Sequence, residues 1–302
     1  MEMMSRQLLD RALAIANTED WTVPTFTLRK AYAAAVVSEL TYQHITQLEI
    51  ADTARAHLIP SYMFQLLHAL EDPPNIFSTI LSDTRGDALL QSDPTVVVIV
   101  PTEKVVFVAI RGTESLADVL ADINFESPRK WPPLDESMGF HEGFVKAALA
   151  DRQRIAERLD RHAKKGTPLC LTGHSLGGAV SSVLYLSSHA ATWSDPLLYP
   201  PALPSCLITF GMPRFSTPIS PAMAGMSHVR RAFDGIPKVP PAVLGYYTSG
   251  DIYRPDGTPV GTDDGDSLSK FAVARSTLTF RYLRDHAIEK YRVDLAKNPG
   301  VR

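Results

Sequence analysis

The sequence predicts an α/β fold with a central, mixed and mostly parallel sheet flanked by helices. Apolar runs of strand length alternate with segments whose apolar residues recur at helical spacing. The runs 95–100 and 105–110 are separated by Pro-Thr-Glu-Lys, which is typical of a hairpin, so antiparallel strands should adjoin the parallel ones. With 302 residues, 45% of them hydrophobic, the chain is long enough to bury a sizeable core.

The predicted elements follow one another along a single domain, 1–302. Residues 1–80 are expected to form a helical extension packed on a core at 95–290. Helices are expected at 28–40, 61–70, 140–163, 268–280 and 285–295, with Phe144, Ala148, Ile155 and Leu159 of the third one facing inward. Strands are expected at 88–90 with 95–100, 105–110, 168–172, 202–210 and 228–233, and a hairpin turn at 254–257.

Residues 173–177 read GHSLG, directly after the apolar run 168–172. This spacing is typical of a nucleophile elbow, in which Ser175 occupies a strained turn between a buried strand and a helix. Small residues two places before and after the serine let the backbone double back. The helix that follows directs backbone N–H groups and its positive dipole end at an oxyanion. The motif therefore predicts a nucleophilic serine.

In this class of hydrolase an acid and then a histidine follow the serine along the chain. Asp234 comes directly after the predicted strand 228–233 and before a Gly-Ile-Pro turn, and His286 lies after the last predicted strand. A carboxylate held at a strand end can orient an imidazole and stabilise its charged form. Asp285 competes with Asp234, although sequence neighbours rarely face the same imidazole. The other candidates have simpler interpretations as surface, strand or turn residues: His189, His228, Asp251 and Asp256.

Further motifs accompany these residues in order. Residues 106–113 form a strand that ends in Arg-Gly-Thr, residues 141–144 read HEGF, and residues 211–214 read GMPR. Asp234 is followed by prolines up to Pro241, and His286 is preceded by an aspartate. With these motifs the sequence resembles the class 3 lipase family, that of the filamentous-fungal triacylglycerol lipases. Several ordered motifs in one chain are far more specific than any one alone.

The resemblance implies an α/β-hydrolase fold and a serine hydrolase of carboxylic esters, above all lipid esters, acting through an acyl-enzyme on Ser175. It assigns Asp234 as the orienting acid, His286 as the base, and Thr113 with Leu176 as the oxyanion hole. A triacylglycerol lipase or carboxylesterase is the expected activity. The alternatives are a phospholipase A1, which shares this chemistry, and a catalytically inactive relative used for binding or signalling.

The segment 114–131 occupies the position of the family's lid. Residues 116–123 carry apolar residues at helical spacing, so this segment is expected to contact a lipid interface transiently. A helix that packs in the core is the alternative. Trp131 belongs either to the hinge of the lid or to the cover of the core.

Composition narrows the classes of partner. The formal net charge of −3 gives no reason to expect nucleic acid. Cys170 and Cys206 lie in apolar runs and are expected to be buried thiols without a disulfide. No metal-ligand spacing or phosphate loop is present, so neither metal nor cofactor is expected. Without a signal peptide or transmembrane stretch, the expectation is a cytoplasmic protein, or a secreted one if a leader has been removed.

Overall fold

The structure is a computed structural model that describes residues 6–42, 78–82, 95–112, 127–131, 135–189, 204–218, 224–261 and 285–301. Its helices are α1 (Arg6–Ala16), α2 (Leu28–Leu40), α3 (Glu142–His162), α4 (Leu176–His189) and α5 (Ile288–Ala296). Its strands are β1 (Ser78–Ser82), β2 (Thr95–Pro101), β3 (Val106–Ile110), β4 (Arg129–Trp131), β5 (Asp135–Phe140), β6 (Leu169–His174), β7 (Pro204–Phe210), β8 (Met226–Val229), β9 (Asp251–Tyr253) and β10 (Pro259–Val260).

A mixed sheet of eight strands forms the centre of the described structure, in the order β1-β2-β3-β6-β7-β8-β9-β10. The strands from β3 to β9 pair in parallel, whereas β1, β2 and β10 are attached by antiparallel pairing. The hairpins predicted at 101–104 and 254–257 join β2 to β3 and β9 to β10. The predicted mixed, mostly parallel sheet is therefore confirmed.

Helices cover both faces of this sheet because successive strand residues point to opposite sides. In β2, Val98 and Val100 face a core built with α1, α2 and α5, while Val97 and Ile99 face a second core built with α3 and α4. The inward face of α3 is as predicted, since Phe144, Ala148, Ile155 and Leu159 are all buried. The first core contains the free, buried thiols Cys170 and Cys206, as expected.

Several element boundaries differ from the prediction. Residues 78–82, at the end of the region expected to be helical, form an edge strand whose backbone pairs with β2. The third helix begins at Glu142 because the residues before it form β5, which pairs with β4. The strand predicted at 228–233 spans Met226–Val229. The predicted helices at 61–70 and 268–280, and the predicted strand at 88–90, lie outside the described residues.

Trp131 ends β4 and packs, partly buried, against the second core, which favours its interpretation as core cover. Residues 114–126 of the expected lid lie outside the described residues. Among the helices that the structure describes, none combines the length and the apolar character needed to cross a bilayer.

Candidate active site

Ser175 lies at the turn between β6 and α4, as the motif predicts. Its φ of +56° is the only positive value at a non-glycine residue in the described part of the chain, and such strain is typical of functional turns. The flanking glycines permit the turn by close contact. A Cβ on Gly173 would lie 2.5 Å from the backbone of Gly177, and a Cβ on Gly177 would overlap the carbonyl of Ile110.

The elbow is joined to the neighbouring strand β7. The Ser175 N–H donates to the Phe210 carbonyl at 2.9 Å, so the serine is fixed at the carboxyl end of the parallel strands. Leu176 is the first residue of α4, and its N–H therefore has no acceptor within the helix. That N–H lies beside the serine at the positive end of the helix dipole, as the sequence predicts for an oxyanion donor.

Asp234 and His286 are brought together although they are far apart in sequence. His286 Nδ1 donates to Asp234 Oδ2 at 2.8 Å, and both residues are buried. The Ile236 N–H donates to Asp234 Oδ1 at 2.9 Å, and Tyr291 Oη donates to Oδ2 at 2.5 Å. An ionised carboxylate only accepts, so the Nδ1 of His286 carries a proton and its Nε2 keeps a free lone pair.

The imidazole nitrogen that carries this lone pair and the serine hydroxyl are both buried without a hydrogen-bond partner among the described residues. The two atoms are His286 Nε2 and Ser175 Oγ. Buried polar atoms in proteins are nearly always hydrogen-bonded, and a catalytic role is one explanation for an exception. The bond between nucleophile and base is often long before substrate binds.

Gly211 ties the serine to the acid–base pair. It follows Phe210, the acceptor of the Ser175 N–H, and its own φ is +57°. A Cβ at this position would lie 2.7 Å from Asp234 Oδ2 and 3.0 Å from the His286 ring. Glycine is therefore required both by the backbone conformation and by the space beside the pair.

Arg214, from the GMPR motif, holds the loop that follows Asp234. Its buried guanidinium donates to the carbonyls of Lys238 and Pro240, and its N–H donates to the carbonyl of Val239 at 2.7 Å. Three bonds from one residue thus hold the backbone a few positions after the acid.

The competing candidates lie elsewhere. Asp285 faces Arg231 at 3.3 Å and Lys290 at 3.7 Å, whereas the imidazole of His286 is bonded to Asp234. Asp251 is exposed at the start of β9, and Asp256 accepts from the N–H of Thr258 in the hairpin turn, as a turn-forming aspartate does.

The two other candidate histidines, His189 and His228, are bonded away from Asp234. His228 is buried inside β8, where its ring is bonded to Thr209 and to the Ser249 carbonyl. His189 ends α4, partly buried, with its Nδ1 bonded to the Tyr185 carbonyl at 2.8 Å.

Thr113, the other predicted oxyanion residue, lies outside the described residues. Its predecessor Gly112 is described and packs tightly on the elbow, since a Cβ there would lie 2.9 Å from the Ser175 Cβ. The last described residue before position 113 thus lies directly beside the nucleophile.

Three residues near the pair were missed by the sequence analysis. Tyr291 is fully buried, and burial together with the adjacent Asp234 carboxylate holds its pKa well above its ordinary value. His174 precedes the nucleophile, and burial together with the neighbouring His286 holds its pKa well below its ordinary value. Tyr42 is bonded to His174 at 2.8 Å. In the sequence, only His174 carried a signal of its role, because it ends a buried strand directly before the serine. Nothing in the sequence marked Tyr42 or Tyr291.

A family model described as Lipase (class 3) matches residues 107–244, a range that contains the elbow and the candidate acid. Over this range the chain is similar to the class 3 lipase family. Together with its lipase relatives, this match shows a carboxylic ester hydrolase.

Curated relatives of the chain are fungal enzymes. A lipase of Rhizomucor miehei is 26% identical over 277 residues, which cover 85% of this chain and 69% of the relative. The secreted mono- and diacylglycerol lipase 1 of Fusarium solani is 29% identical over 167 residues, which cover 53% of this chain and 46% of the relative. The chain thus spans less than half of the Fusarium protein's length. The expected cytoplasmic location finds no support in these relatives.

Solved structures place the chain in the α/β-hydrolase fold. The lipase of Rhizopus microsporus var. chinensis matches with a TM-score of 0.52 at 19% identity, over 94% of this chain and 87% of its own. The triacylglyceride lipase of Rhizomucor miehei matches with a TM-score of 0.51 at 19% identity, over 94% of this chain and 95% of its own. The predicted fold is thereby confirmed.

Proposed function

We propose that this protein hydrolyses the carboxylic esters of acylglycerols through an acyl-enzyme on Ser175. The observation that supports this most strongly is the buried Asp234–His286 hydrogen bond beside the strained serine turn, with the lone pair of His286 Nε2 left unpaired. A nucleophile, a base oriented by an acid, and donors for an oxyanion are the parts that acyl transfer requires.

In the acylation step, His286 Nε2 takes the Ser175 proton while Oγ attacks the ester carbonyl carbon. Asp234 stabilises the imidazolium that forms. The carbonyl oxygen becomes an oxyanion that accepts from the Leu176 N–H and from Thr113. The intermediate then collapses: the carbon–oxygen bond to the glycerol breaks, and the imidazolium gives its proton to the leaving alkoxide.

In the second step a water replaces the alcohol. His286 removes a proton from the water as it attacks the acyl carbon, and the proton returns to Ser175 Oγ when the acid leaves. The two steps consume one ester and one water and yield one alcohol and one carboxylic acid, with the enzyme restored.

Acylglycerols are the proposed substrates because the Fusarium relative is named for mono- and diacylglycerols and a Rhizomucor structure for triacylglycerides. Segment 114–131 is the proposed lipid-contacting part, since apolar residues recur at helical spacing at 116–123. The proposed location is extracellular, supported by the Fusarium relative being named as secreted.

A panel of p-nitrophenyl esters from acetyl to palmitoyl, together with emulsified di- and triacylglycerol and phosphatidylcholine, tests this proposal. We expect hydrolysis of the acylglycerols, with the rate rising once an emulsion interface forms. Ser175→Ala should lower kcat on the order of 10⁶-fold. Ser187→Ala, a buried serine later in the same helix whose hydroxyl is bonded within that helix, is the matched control and should keep full activity.

Two results would contradict the proposal. Faster release of fatty acid from phosphatidylcholine than from any acylglycerol would indicate a phospholipase A1. No hydrolysis of any ester by the wild-type protein would indicate the catalytically inactive relative.

A further inference from the structure

A chain of hydrogen bonds runs beside the candidate triad and joins four separate segments. The Gly112 N–H donates to Tyr42 Oη at 3.1 Å. Tyr42 Oη is 2.8 Å from His174 Nδ1, and His174 Nε2 is 2.6 Å from the carbonyl oxygen of His286. Tyr42 lies just beyond α2, and His174 is the last residue of β6. The hydrogen bonds therefore connect the N-terminal helical region to the strand that precedes the nucleophile.

Elementary chemistry sets the direction of every bond. A backbone N–H only donates and a carbonyl only accepts. The carbonyl of His286 only accepts, so His174 Nε2 carries a proton and donates to it. In a neutral imidazole Nδ1 is then an acceptor, and it accepts the proton of Tyr42 Oη. Burial, with the neighbouring His286, lowers the pKa of His174 well below its ordinary value, which keeps this imidazole neutral.

We propose that Tyr42 and His174 are positioning residues that fix the backbone on both sides of the reacting ester. Tyr42 holds Gly112, which precedes the proposed oxyanion residue Thr113, and His174 holds the backbone of the proposed base, His286. The inference rests on the proposed function. It adds that the N-terminal helical region, through Tyr42 two residues after α2, contributes to the alignment of the triad with the oxyanion donors.

Close packing makes this alignment sensitive. A Cβ on Gly112 would lie 2.5 Å from the His174 carbonyl and 2.7 Å from Tyr42 Oη, so the glycine backbone has little room to shift. The ring of His174 lies 4.4 Å from that of His286. A misplacement of about 1 Å can cost roughly 100-fold in rate, so small backbone shifts here should affect turnover.

The backbone at 285–286 is held from a second side as well. Arg231 donates to the Asp285 carbonyl at 2.9 Å and is anchored by Asp294 of α5 at 2.8 Å. His174 and Arg231 thus donate hydrogen bonds to adjacent carbonyls of the segment that carries the base. Without the hydrogen bond from His174, this segment stays attached through the Arg231–Asp285 bond, but it can tilt about that bond.

Tyr42→Phe removes the hydroxyl and with it two bonds. We expect kcat for a soluble ester to fall roughly tenfold with KM changed less than about twofold, because alignment matters in the transition state more than in binding. Tyr32→Phe is the matched control: Tyr32 is a fully buried tyrosine on α2 whose ring lies 4.8 Å from the Arg11 guanidinium, and its kcat should stay at the wild-type value.

Two substitutions of His174 distinguish the effects of its two hydrogen bonds, the one with Tyr42 and the one with the His286 carbonyl. His174→Asn keeps an acceptor near the Nδ1 position and loses the donor to His286; His174→Gln keeps that donor and loses the acceptor for Tyr42. We expect each to lower kcat, and we expect Tyr42→Phe combined with His174→Gln to lower it no further than the worse single variant, because both break the same Tyr42–His174 bond.

Nitrogen-15 NMR of the histidine side chains tests the chain without any substrate. The expected result is a neutral His174 with its proton on Nε2 at pH 7, and a changed Nδ1 shift in Tyr42→Phe. A proton on Nδ1, or an imidazolium at pH 7, would overturn the inference, as would a kcat of Tyr42→Phe within twofold of an active wild type. A wild type inactive on every ester would instead refute the proposed function, while the NMR result would still decide the bonding chain.

Discussion

Asp234 accepts hydrogen bonds from three separate groups: the imidazole of His286, the hydroxyl of Tyr291 and the backbone N–H of Ile236. All three are donors, so this residue must accept on both of its oxygens. An amide presents an acceptor on one side only and donors on the other. The site therefore discriminates strongly between aspartate and asparagine, although the two have nearly the same shape.

We expect Asp234→Asn to lower kcat on the order of 10⁴-fold, because the amide would favour the wrong imidazole tautomer, as in the Ser-His-Asp proteases. Asp251→Asn, at an exposed position, should leave kcat unchanged. Steady-state kinetics on a soluble ester measure both. Nearly full activity in Asp234→Asn, with loss of activity in Asp285→Asn, would show that the acid has been assigned to the wrong residue.

Gly211 provides a second test at the level of one residue. Gly211→Ala would force a Cβ to 2.7 Å from Asp234 Oδ2, so we expect a large fall in kcat. Gly166→Ala is the matched control: its φ of +85° carries the same backbone penalty of about 1–2 kcal/mol, yet no atom lies within 4 Å of the added carbon. Equal kcat losses in the two variants would mean that backbone strain, rather than crowding of the acid–base pair, is responsible.

Among the elements, those with a complete local signal were predictable. The elbow is specified by five adjacent residues and appears between β6 and α4 as expected. Strand β1 was missed because its five residues, with serine at both ends, acquire strand structure only by pairing with β2. Tyr42 and Tyr291 were missed because their partners are 132 and 57 residues away, and no spacing in one sequence records such contacts.

For segment 114–131 the sequence predicts a lid, with a core-packing helix as the alternative. If residues 116–123 form an apolar helix over the acyl groove, serine at both Val119 and Leu120 should slow long-chain hydrolysis selectively and spare acetyl esters. A core helix would respond differently, since burying two polar groups costs about 1–3 kcal/mol each and lowers stability and all activities together. Melting temperature measured beside acetyl and long-chain rates distinguishes the two, and a parallel loss of all three would contradict the lid.

For the whole molecule, titratable groups buried between the sheet and its helices link stability to pH. His174 has a lowered pKa in the folded state, so its contribution is present above the unfolded value of about 6.5 and is lost as the pH falls below it. Tyr291 has a raised pKa, so its contribution is present below about pH 10 and is lost as the pH rises above it. The folded protein should therefore be most stable between these limits.

We expect the free energy of unfolding to fall on both sides of this range, by up to about 1.4 kcal/mol per pH unit for each group. His174→Gln should flatten the acid limb and Tyr291→Phe the alkaline limb. Urea unfolding of the three proteins from pH 4 to 11 measures both slopes. An acid limb of unchanged slope in His174→Gln would show that His174 is not the group responsible.

The central claim, that Ser175 is a nucleophile activated by His286 and Asp234, is tested most directly by a fluorophosphonate that reacts only with an activated serine. Intact-protein mass spectrometry and peptide mapping should find one adduct, on the peptide containing Ser175. The adduct should be absent from Ser175→Ala, greatly slowed in Asp234→Asn and unchanged in Ser187→Ala. An adduct on another serine, or no adduct on the wild-type protein, would contradict the account.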